Sequence, residues 1–482
     1  MKILLAAMSI EPESRLEHSP NCAYSLGLAY IYSVLEKDGH EVKLLFLNNF
    51  DYRECEKIFF STLKEWQPQI VGFQIFSMNR VSTFNVIEKM KYTHPGTRII
   101  IGGIHVSVMY EQIIRKYPHI IAVIGEGEYT ITELLKAFES KAPLNSIKGI
   151  CFCKDGKIIH TEPRELIYDL DALPIPKHEV FFDNEPKRTV GHIIASRGCP
   201  FNCSFCCLKV ISKQKLRQRN IAKVVEEIKY LKGKYPRLKH IQFHDDTFLI
   251  DNERVIQFCK MVIEEKLSLT FECSARVKPI SREMFWWMEK AGFKKIMFGL
   301  ETGSEDLLKS IHKNITQKDV IELFNALRHF KFVVTTFLMC GFPGENEETI
   351  SQTIDLVRRT QKIHYNWIAG VGKLWVYPGT EVYEKMKNAG HINDDFWLSD
   401  KPVPYYTVEH SFKKLVEFEE RIMNSVSIGR IFTLKGFKNH FMKVPRPILG
   451  YAIKHPRHLA GIIKGTIKGY FSKILQISRH KN

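Results

Sequence analysis

The chain has 482 residues, which is enough for two or more domains, and 44% of them are hydrophobic, as in ordinary globular proteins. It contains no apolar run of about 18 residues, so we expect no transmembrane helix, and its first ten residues predict a strand and not a signal peptide. The net charge of +17 is concentrated in residues 421–482, which hold thirteen Lys and Arg and no acidic residue, so the basic character belongs to this tail and not to the body of the chain.

Residues 1–140 alternate apolar strands with helical segments, which predicts a Rossmann-like domain with a parallel sheet. The strands are expected at 2–7, 41–47, 70–75, 98–101 and 120–124. Ligands of such sheets bind at the carboxyl ends of the strands, and glycines there allow close approach to the backbone. The candidate binding residues at these ends are Ser77, Gly102, Gly103, His105, Gly125 and Glu126. Taken alone, these motifs are also typical of simple turns.

Residues 141–188 are predicted to be a connector. Residues 150–159 have the pattern of a hairpin with Asp155-Gly156 as its turn, and Pro174 and Pro176 exclude a long helix after it. Cys151 and Cys153 would face the same side of one strand, where we expect a structural role.

Three cysteines with the spacing C-x3-C-x2-C, namely Cys199, Cys203 and Cys206, follow a predicted buried strand at 190–196. Three thiolates on one short loop can ligate three irons of a [4Fe–4S] cube and leave the fourth iron open to a small molecule. The alternatives are a zinc site with the adjacent Cys207 as fourth ligand, although structural zinc usually takes two separated pairs of ligands, and a disulfide. The unpaired distribution of the eleven cysteines favours a reducing, cytoplasmic setting and disfavours the disulfide.

Residues 189–400 repeat strand-then-helix units with six strands, which predicts a partial (β/α)6 barrel. Function in such barrels gathers at the carboxyl ends of the strands. The candidate residues at those ends are Asp245, Asp246, Ser274, Arg276, Glu301 and Gly341. Asp and Ser at these places also commonly cap the following helix, so each residue alone has a purely structural alternative.

The cysteine loop, with Phe205 directly before the third cysteine, resembles that of the radical S-adenosylmethionine (SAM) enzymes. Segment 1–140 resembles the cobalamin-binding domain that precedes the barrel in many of them, through residues 26–30, 39–42, 102–105 and 125–128. The resemblance is closest to the group of the anaerobic magnesium-protoporphyrin cyclase and the cobalamin-dependent methyltransferases. The Asp-x-His-x-x-Gly motif, whose histidine binds cobalt in other cobalamin proteins, is absent.

The resemblance implies a [4Fe–4S] cluster, SAM and cobalamin as cofactors, and methylation or cyclisation of an unactivated carbon through a 5′-deoxyadenosyl radical. It implies that Asp245 and Asp246 lie against the amino group of SAM and that Ser274 and Arg276 face its carboxylate or ribose. Glu301 would reach polar groups of SAM, and the Gly341 turn would pass the adenine. Two alternatives stay open: a radical SAM enzyme whose front domain binds no cofactor, and a non-enzymatic cluster or zinc protein.

Residues 401–482 are predicted to be a helical region with a basic amphipathic tail. From Leu459 onwards, apolar residues recur at helical spacing with lysines beside them, which suits an anionic membrane surface. A helix packed on the barrel is the alternative. The expected partners are a small-molecule substrate, lipid-like by the character of the tail, and an electron donor such as flavodoxin or ferredoxin. Nucleic acid is not expected.

Overall fold

A computed structural model describes residues 1–10, 21–364 and 366–426. The chain divides into a unit of residues 1–419 and a second unit of residues 420–482. Everything below concerns the first unit, except that the last described helix runs to Ser425. The predicted amphipathic tail after Leu459 lies outside the described residues.

The front of the chain folds as the alternation of strands and helices predicts. Its elements are β1 (Lys2–Ala7), α1 (Leu26–Lys37), β2 (Glu41–Phe46), α2 (Tyr52–Trp66), β3 (Ile70–Gln74), α3 (Arg80–Thr93), β4 (Arg98–Gly102), α4 (Ile104–Lys116), β5 (Ile120–Val123) and α5 (Glu128–Ser140). The five strands are parallel, in the order β2-β1-β3-β4-β5. Near-continuous apolar strands of this kind are buried on both faces by the crossover helices.

The predicted hairpin forms β6 (Ile150–Lys154) and β7 (Lys157–His160), and the short helix α6 (Glu179–Phe182) follows it. Asp155 and Gly156 adopt φ values of 51° and 74°, as a tight turn with two positive φ angles requires. The hairpin pairs antiparallel with β5, so the front sheet has seven strands and is mixed at this end. Part of the segment predicted as a connector therefore belongs to the front sheet.

The second sheet belongs to the predicted partial barrel. Its elements are β8 (Val190–Ile193), β9 (Ser196–Arg197), α7 (Leu208–Ser212), β10 (Arg217–Gln218), α8 (Ile221–Lys234), β11 (His240–Phe243), α9 (Asn252–Glu264), β12 (Thr270–Ala275), α10 (Arg282–Ala291), β13 (Phe293–Glu301), α11 (Glu305–Ser310), α12 (Gln317–Leu327), β14 (Val333–Cys340), α13 (Glu347–Ile363), β15 (Trp367–Lys373), α14 (Glu381–Asn388) and α15 (Phe412–Ser425). Six parallel strands have the order β15-β14-β13-β12-β11-β8, and β9 pairs with β10 in a small ribbon. Among the residues that the structure describes, no helix has the length and apolar character needed to cross a bilayer.

The two faces of the barrel sheet can be told apart at β14 and β15. The Trp367 indole donates to Thr336 Oγ1 at 2.9 Å and packs edge-on against Phe324 of α12, so these side chains face the helices. Successive side chains of a strand point to opposite faces, so Phe337 and Ile368 face the inside of the barrel. They are 44% and 47% exposed, unlike their buried neighbours, which leaves an open apolar surface there.

The front domain and the barrel meet at a tight turn after β15. Gly379 adopts a φ of 80°, and a Cβ at this position would lie 2.9 Å from a methyl group of Val210 and 3.1 Å from one of Val108. Val210 belongs to α7, directly after the cysteine loop, and Val108 belongs to α4 of the front domain. The turn is therefore wedged between the two halves, which are packed side by side without a spacer.

Candidate functional site

The cysteine loop leaves the barrel at the end of β9. Gly198 opens it with a φ of 87°, and a Cβ there would lie 2.2 Å from the carbonyl oxygen of Lys215, so only glycine fits. Cys206 N donates to Cys203 O at 3.1 Å, which closes a turn between the second and third cysteines. Cys203 is buried, whereas Cys199 and Cys206 are half-buried.

The three thiols do not form a single-ion site. Among the described residues, no three His, Cys, Asp or Glu side chains are placed so that they could hold one metal ion. A [4Fe–4S] cube takes one thiolate on each of three irons, so its ligands need not converge on one point as zinc ligands must. Burial raises the pKa of Cys206 to about 12, so iron must displace its proton on binding. The loop fits a cluster by the chemistry and spacing of its donors.

Asp245 and Asp246 follow β11, and the structure gives them different partners. The Asp245 carboxylate is buried and accepts hydrogen bonds from Ala195 N at 2.8 Å and from the Ser196 hydroxyl. Burial raises its pKa to about 6. Asp246 is exposed and accepts from Gly198 N at 3.2 Å. Asp245 thus fixes the strand that leads into the cysteine loop, and only Asp246 is open to a ligand.

Three candidates, Ser274, Arg276 and Glu301, lie at the carboxyl ends of neighbouring strands. They differ in burial and in how many of their polar groups already have protein partners. Ser274 is half-buried on β12. Glu301 is 6% exposed and pairs with Lys313 Nζ at 2.6 Å. Arg276 points at the cysteine loop, where Nη1 lies 3.4 Å from Cys203 Sγ. Lys313 was not predicted from the sequence, because it lies in the loop after α11, 12 residues beyond its partner Glu301.

The Gly341 turn lies next to the cysteine loop. Phe205 packs edge-on against Phe342, with ring centroids 5.6 Å apart, which joins the third cysteine's neighbour to this turn. Gly341 N donates to the buried carboxylate of Glu345. The structure therefore brings the predicted Phe205 and Gly341 together, and it adds Glu345 as the residue that holds the turn.

Two cavities line the carboxyl edge of the front sheet. The larger has a volume of about 390 Å³ and is mainly apolar, and Gly102, Gly103, Gly125 and Glu126 are among its lining residues. A Cβ on Gly103 would lie 2.7 Å from Ile75 O, so this approach of the backbone needs glycine. The cavity also reaches Asp246 on the barrel side. This larger cavity, called the cradle, is thus lined by residues of both the front domain and the barrel.

The smaller cavity, of about 180 Å³, contains the other two predicted front-domain residues, Ser77 and His105, together with Cys207. Ser77 Oγ and His105 Nδ1 are 2.9 Å apart, and His105 Nε2 is buried with no hydrogen-bond partner among the described residues. Burial, with the nearby Arg80 charge, lowers the pKa of His105 to about 3, so the ring is neutral. Phe76 and Ile104 line both cavities, so the two cavities lie next to each other. The apolar, glycine-lined cradle, with the unpartnered His105 nitrogen in the cavity beside it, fits a large planar cofactor such as cobalamin.

A buried ion network ties the front domain to the cysteine loop. Glu126 accepts from Arg197 Nη1 at 3.0 Å, from Arg217 Nη1 at 2.6 Å and from Ile167 N at 2.9 Å. Arg197 Nη2 also pairs with Glu128 at 2.7 Å. Burial alone would raise the pKa of Glu126, but the hydrogen bond from Arg217 and the charge of Arg197 hold it below its usual value. Both oxygens of Glu126 are thus occupied by protein groups, although the residue borders the larger cavity.

The β8 edge of the barrel is closed by residues of the front half. Tyr24 OH lies 2.7 Å from His178 Nδ1 and packs edge-on to His192 at 4.6 Å. His192 Nδ1 and His244 Nε2 are 2.8 Å apart, and His244 borders the larger cavity. Burial lowers the pKa of His192 to about 2, so this histidine pair is neutral. Sequence patterns did not single out this cluster, because its members come from distant segments.

Each half of the chain matches the model of a known domain family. The radical SAM superfamily model matches residues 193–357, and the B12 binding domain model matches residues 15–135. An uncharacterised methyltransferase of Pyrococcus horikoshii is 29% identical over 365 residues, covering 74% of this chain and 77% of that protein. The anaerobic magnesium-protoporphyrin IX monomethyl ester cyclase of Cereibacter sphaeroides is 25% identical, covering 76% of this chain and 61% of that protein.

A solved structure shares the fold. The cobalamin-dependent S-adenosylmethionine radical enzyme OxsB, with aqua-cobalamin and S-adenosylmethionine bound, superposes with a TM-score of 0.68 at 17% identity. The match covers 81% of this chain and 62% of OxsB. This chain therefore spans somewhat less than two thirds of the length of OxsB and of the cyclase.

Proposed function

Because this chain is a radical SAM enzyme with a B12-binding domain in front of its barrel, we propose that it transfers a methyl group to an unactivated carbon of a small molecule. When bound, the cluster supplies the electron that cleaves SAM to methionine and a 5′-deoxyadenosyl radical, and cobalamin supplies the transferable methyl group. The observation that carries the proposal is the junction itself. The three-cysteine loop and the glycine-lined cradle lie on two sides of one interface, joined through Arg197 and Glu126.

In this proposal, Cys199, Cys203 and Cys206 hold the cluster. Asp246, and not Asp245, is available to the amino group of SAM, because the Asp245 carboxylate is already bonded to Ala195 and Ser196.

The remaining barrel candidates keep narrower roles. Ser274, Glu301 and the Gly341 turn are proposed SAM contacts, and Lys313 positions the Glu301 carboxylate through its ion pair. Phe205 positions the Gly341 turn through its contact with Phe342.

The front-domain candidates divide between the two cavities. Gly102, Gly103 and Gly125 are proposed to let cobalamin approach the backbone in the larger cavity, and Ser77 with His105 would face it in the smaller one. Glu126 acts indirectly, since its carboxylate is used by Arg197 and Arg217. Its part is to fix the wall of the cradle.

We propose an apolar substrate surface inside the barrel, formed by Phe337 and Ile368 next to the glycines of β15. Gly370 would bring a Cβ within 3.5 Å of the Phe337 ring, whereas a Cβ on Gly372 would meet no atom within 4 Å. The space beside β15 is therefore open. Apolar walls with few polar groups are typical of sites for small organic molecules, and a lipid-like substrate would suit this one.

Filling this space gives a test of the substrate surface. We expect Gly372→Leu to lower product formation at least tenfold, because the added side chain occupies the proposed substrate surface. Production of 5′-deoxyadenosine in the absence of substrate should stay unchanged, because the SAM site is not filled. The matched control is Gly233→Leu, on the outer helix α8, where a Cβ also meets no atom within 4 Å. Equal losses in both variants would contradict the assignment.

A low-potential donor such as flavodoxin or ferredoxin is the proposed source of electrons, in a reducing cytoplasm where the eleven cysteines stay unpaired. Peripheral membrane contact through the basic tail stays a prediction from the sequence. It is tested by sedimentation of the full chain with anionic vesicles, which should weaken at high salt, and loss of residues 459–482 should abolish it.

The central test is Cys203→Ala in anaerobically reconstituted protein. Loss of one of three thiolates should remove most of the bound iron and abolish 5′-deoxyadenosine formation from SAM. Cys22→Ala is the control for removing a thiol far from the loop in sequence, and Cys207→Ala should also retain iron because a cube needs only three thiolates. Full iron content and 5′-deoxyadenosine output in Cys203→Ala would overturn the proposal.

The mass of the product distinguishes methyl transfer from ring closure. Reconstitution with methylcobalamin and SAM that both carry a deuterated methyl group should give a product that is heavier by the labelled methyl group. Ring closure is the second candidate, favoured by the similarity to the magnesium-protoporphyrin cyclase, and it would give a product without the label.

A further inference from the structure

Arg276 is held in place by two contacts with the cysteine loop and one with the main chain of Lys313. It follows the end of β12 and is 8% exposed. Its guanidinium lies 3.8 Å from the centroid of the Phe201 ring, Nη1 lies 3.4 Å from Cys203 Sγ, and Nη2 donates to the carbonyl oxygen of Lys313. Phe201 and Cys203 belong to the same loop, so the arginine is fixed against the segment that leads to the second cysteine.

The charge of Arg276 is directed at sulfur and not at a carboxylate. Among the described residues, no Asp or Glu oxygen forms an ion pair with its guanidinium. The Glu301 carboxylate is paired instead with Lys313, whose Nζ lies 2.6 Å from Glu301 Oε1. An arginine always carries its charge, and a charge acts more strongly at a buried site than in water. The second cysteine therefore sits beside an uncompensated positive charge that donates a hydrogen bond to it.

Both terminal nitrogens of Arg276 have protein partners in this arrangement. The resemblance to radical SAM enzymes implied that this residue faces the carboxylate or ribose of SAM, and an arginine binds a carboxylate best through two parallel N–H groups. One of the two nitrogens points to Sγ and the other to a main-chain carbonyl. The geometry suits a group that acts on the cluster ligand.

We propose that Arg276 raises the reduction potential of the cluster by donating a hydrogen bond to the Cys203 thiolate and placing a positive charge beside it. This inference rests on the proposed seat of the cluster on Cys199, Cys203 and Cys206. Reduction adds one electron, and hence one negative charge, to the cluster. A cation and a hydrogen bond at a ligand sulfur favour that reduced state, since net charge and hydrogen bonds to sulfur are among the factors that set the potential of such clusters. Arg276 is in this sense a positioning and tuning residue for electron uptake.

The test is an anaerobic redox titration of the full-length reconstituted protein without SAM, followed by EPR of the reduced cluster. Arg276→Gln removes the charge and should shift the midpoint potential to a more negative value. Arg276→Lys keeps a charge but loses the planar fork, so its potential should lie between those of Arg276→Gln and the wild type. Arg282→Gln, at an exposed position at the start of α10, is the matched control and should leave the potential unchanged.

A wild-type potential in Arg276→Gln with full iron content would overturn the inference, as would a shift of the same size in Arg282→Gln. If Arg276→Gln fails to hold iron, Arg276→Lys decides, and a potential equal to the wild type in that variant counts against the proposal. SAM affinity, measured on the same preparations, should stay close to the wild type. A large loss of SAM affinity with an unchanged potential would assign Arg276 to the SAM carboxylate instead. Absence of iron in the wild-type protein would refute the cluster seat, which is a separate result.

Discussion

Two turns at the carboxyl ends of strands pair a glycine with a glutamate, yet they hold that glutamate in opposite ways. In the front domain, Glu126 follows Gly125 and is surrounded by Arg197 and Arg217, which keep its pKa low. In the barrel, Glu345 accepts from Gly341 N with one oxygen, while its other oxygen is buried without a partner among the described residues. Burial raises the pKa of Glu345 to about 7, and the nearby Glu409 adds to this.

A glycine–glutamate turn therefore has no fixed electrostatic character. The partners that arrive from distant segments decide it. Glu126 is ionised and joins two domains, whereas Glu345 shapes a turn within one domain and gains protons near neutral pH. Three substitutions at these carboxylates and their partners test this contrast, and their expected effects decrease in the order given.

Glu126→Gln should destabilise the protein by about 4 kcal/mol at neutral pH, because it leaves two buried arginines without their shared carboxylate. Urea unfolding followed by tryptophan fluorescence measures it. The control is Glu111→Gln, which breaks the exposed pair with Arg115 and should cost less than about 1 kcal/mol. Equal losses in the two variants would show that charge does not hold the junction together.

Glu345→Gln should stabilise the protein at pH 8 by on the order of 3 kcal/mol, since it removes a buried carboxylate whose pKa is raised from 4.5 to about 7. The folded state binds the proton more tightly than the unfolded state, so this carboxylate costs stability progressively as the pH rises from 4.5 to 7. The advantage of the glutamine should therefore vanish towards pH 4.5. Glu126 behaves oppositely, because its lowered pKa contributes stability above pH 4.5 that is lost only in acid. Unfolding curves across this range that show no pH dependence of the Glu345→Gln effect would contradict the contrast.

Arg197→Lys should cost about 1 kcal/mol, the smallest of the three effects. The ammonium keeps the charge but lacks the planar fork, whose two terminal nitrogens pair separately with Glu126 and Glu128. Arg115→Lys, at an exposed pair, serves as the reference and should be neutral in the same urea titrations. A cost for Arg197→Lys as large as that of Glu126→Gln would mean that bidentate geometry, and not charge, stabilises the junction.

Much of the fold was predictable because it depends on local periodicity. Strand 2–7 has the predicted bounds, and the other four strands of the front domain end within one residue of the predicted bounds, since apolar runs between turn residues mark parallel strands. The family and its cofactors also followed from one loop and a few glycine motifs, and the domain matches confirm them.

Partners could not be predicted, because they depend on contacts between distant segments. Asp245 and Asp246 are adjacent in sequence, but only the structure shows that the first is bonded to Ala195 and the second is exposed. The same holds for the pairing of Glu301 with Lys313. Which of these residues touch SAM or cobalamin stays a prediction.

The close packing around Gly379 limits how far the two domains can move apart during catalysis. A turn of the barrel that is pressed between Val108 of one domain and Val210 of the other cannot act as a hinge without separating packed methyl groups. We therefore expect the distance between the radical source and the methyl donor to be constant through a catalytic cycle. The order of events would then be governed by the arrival and departure of small molecules inside a rigid frame.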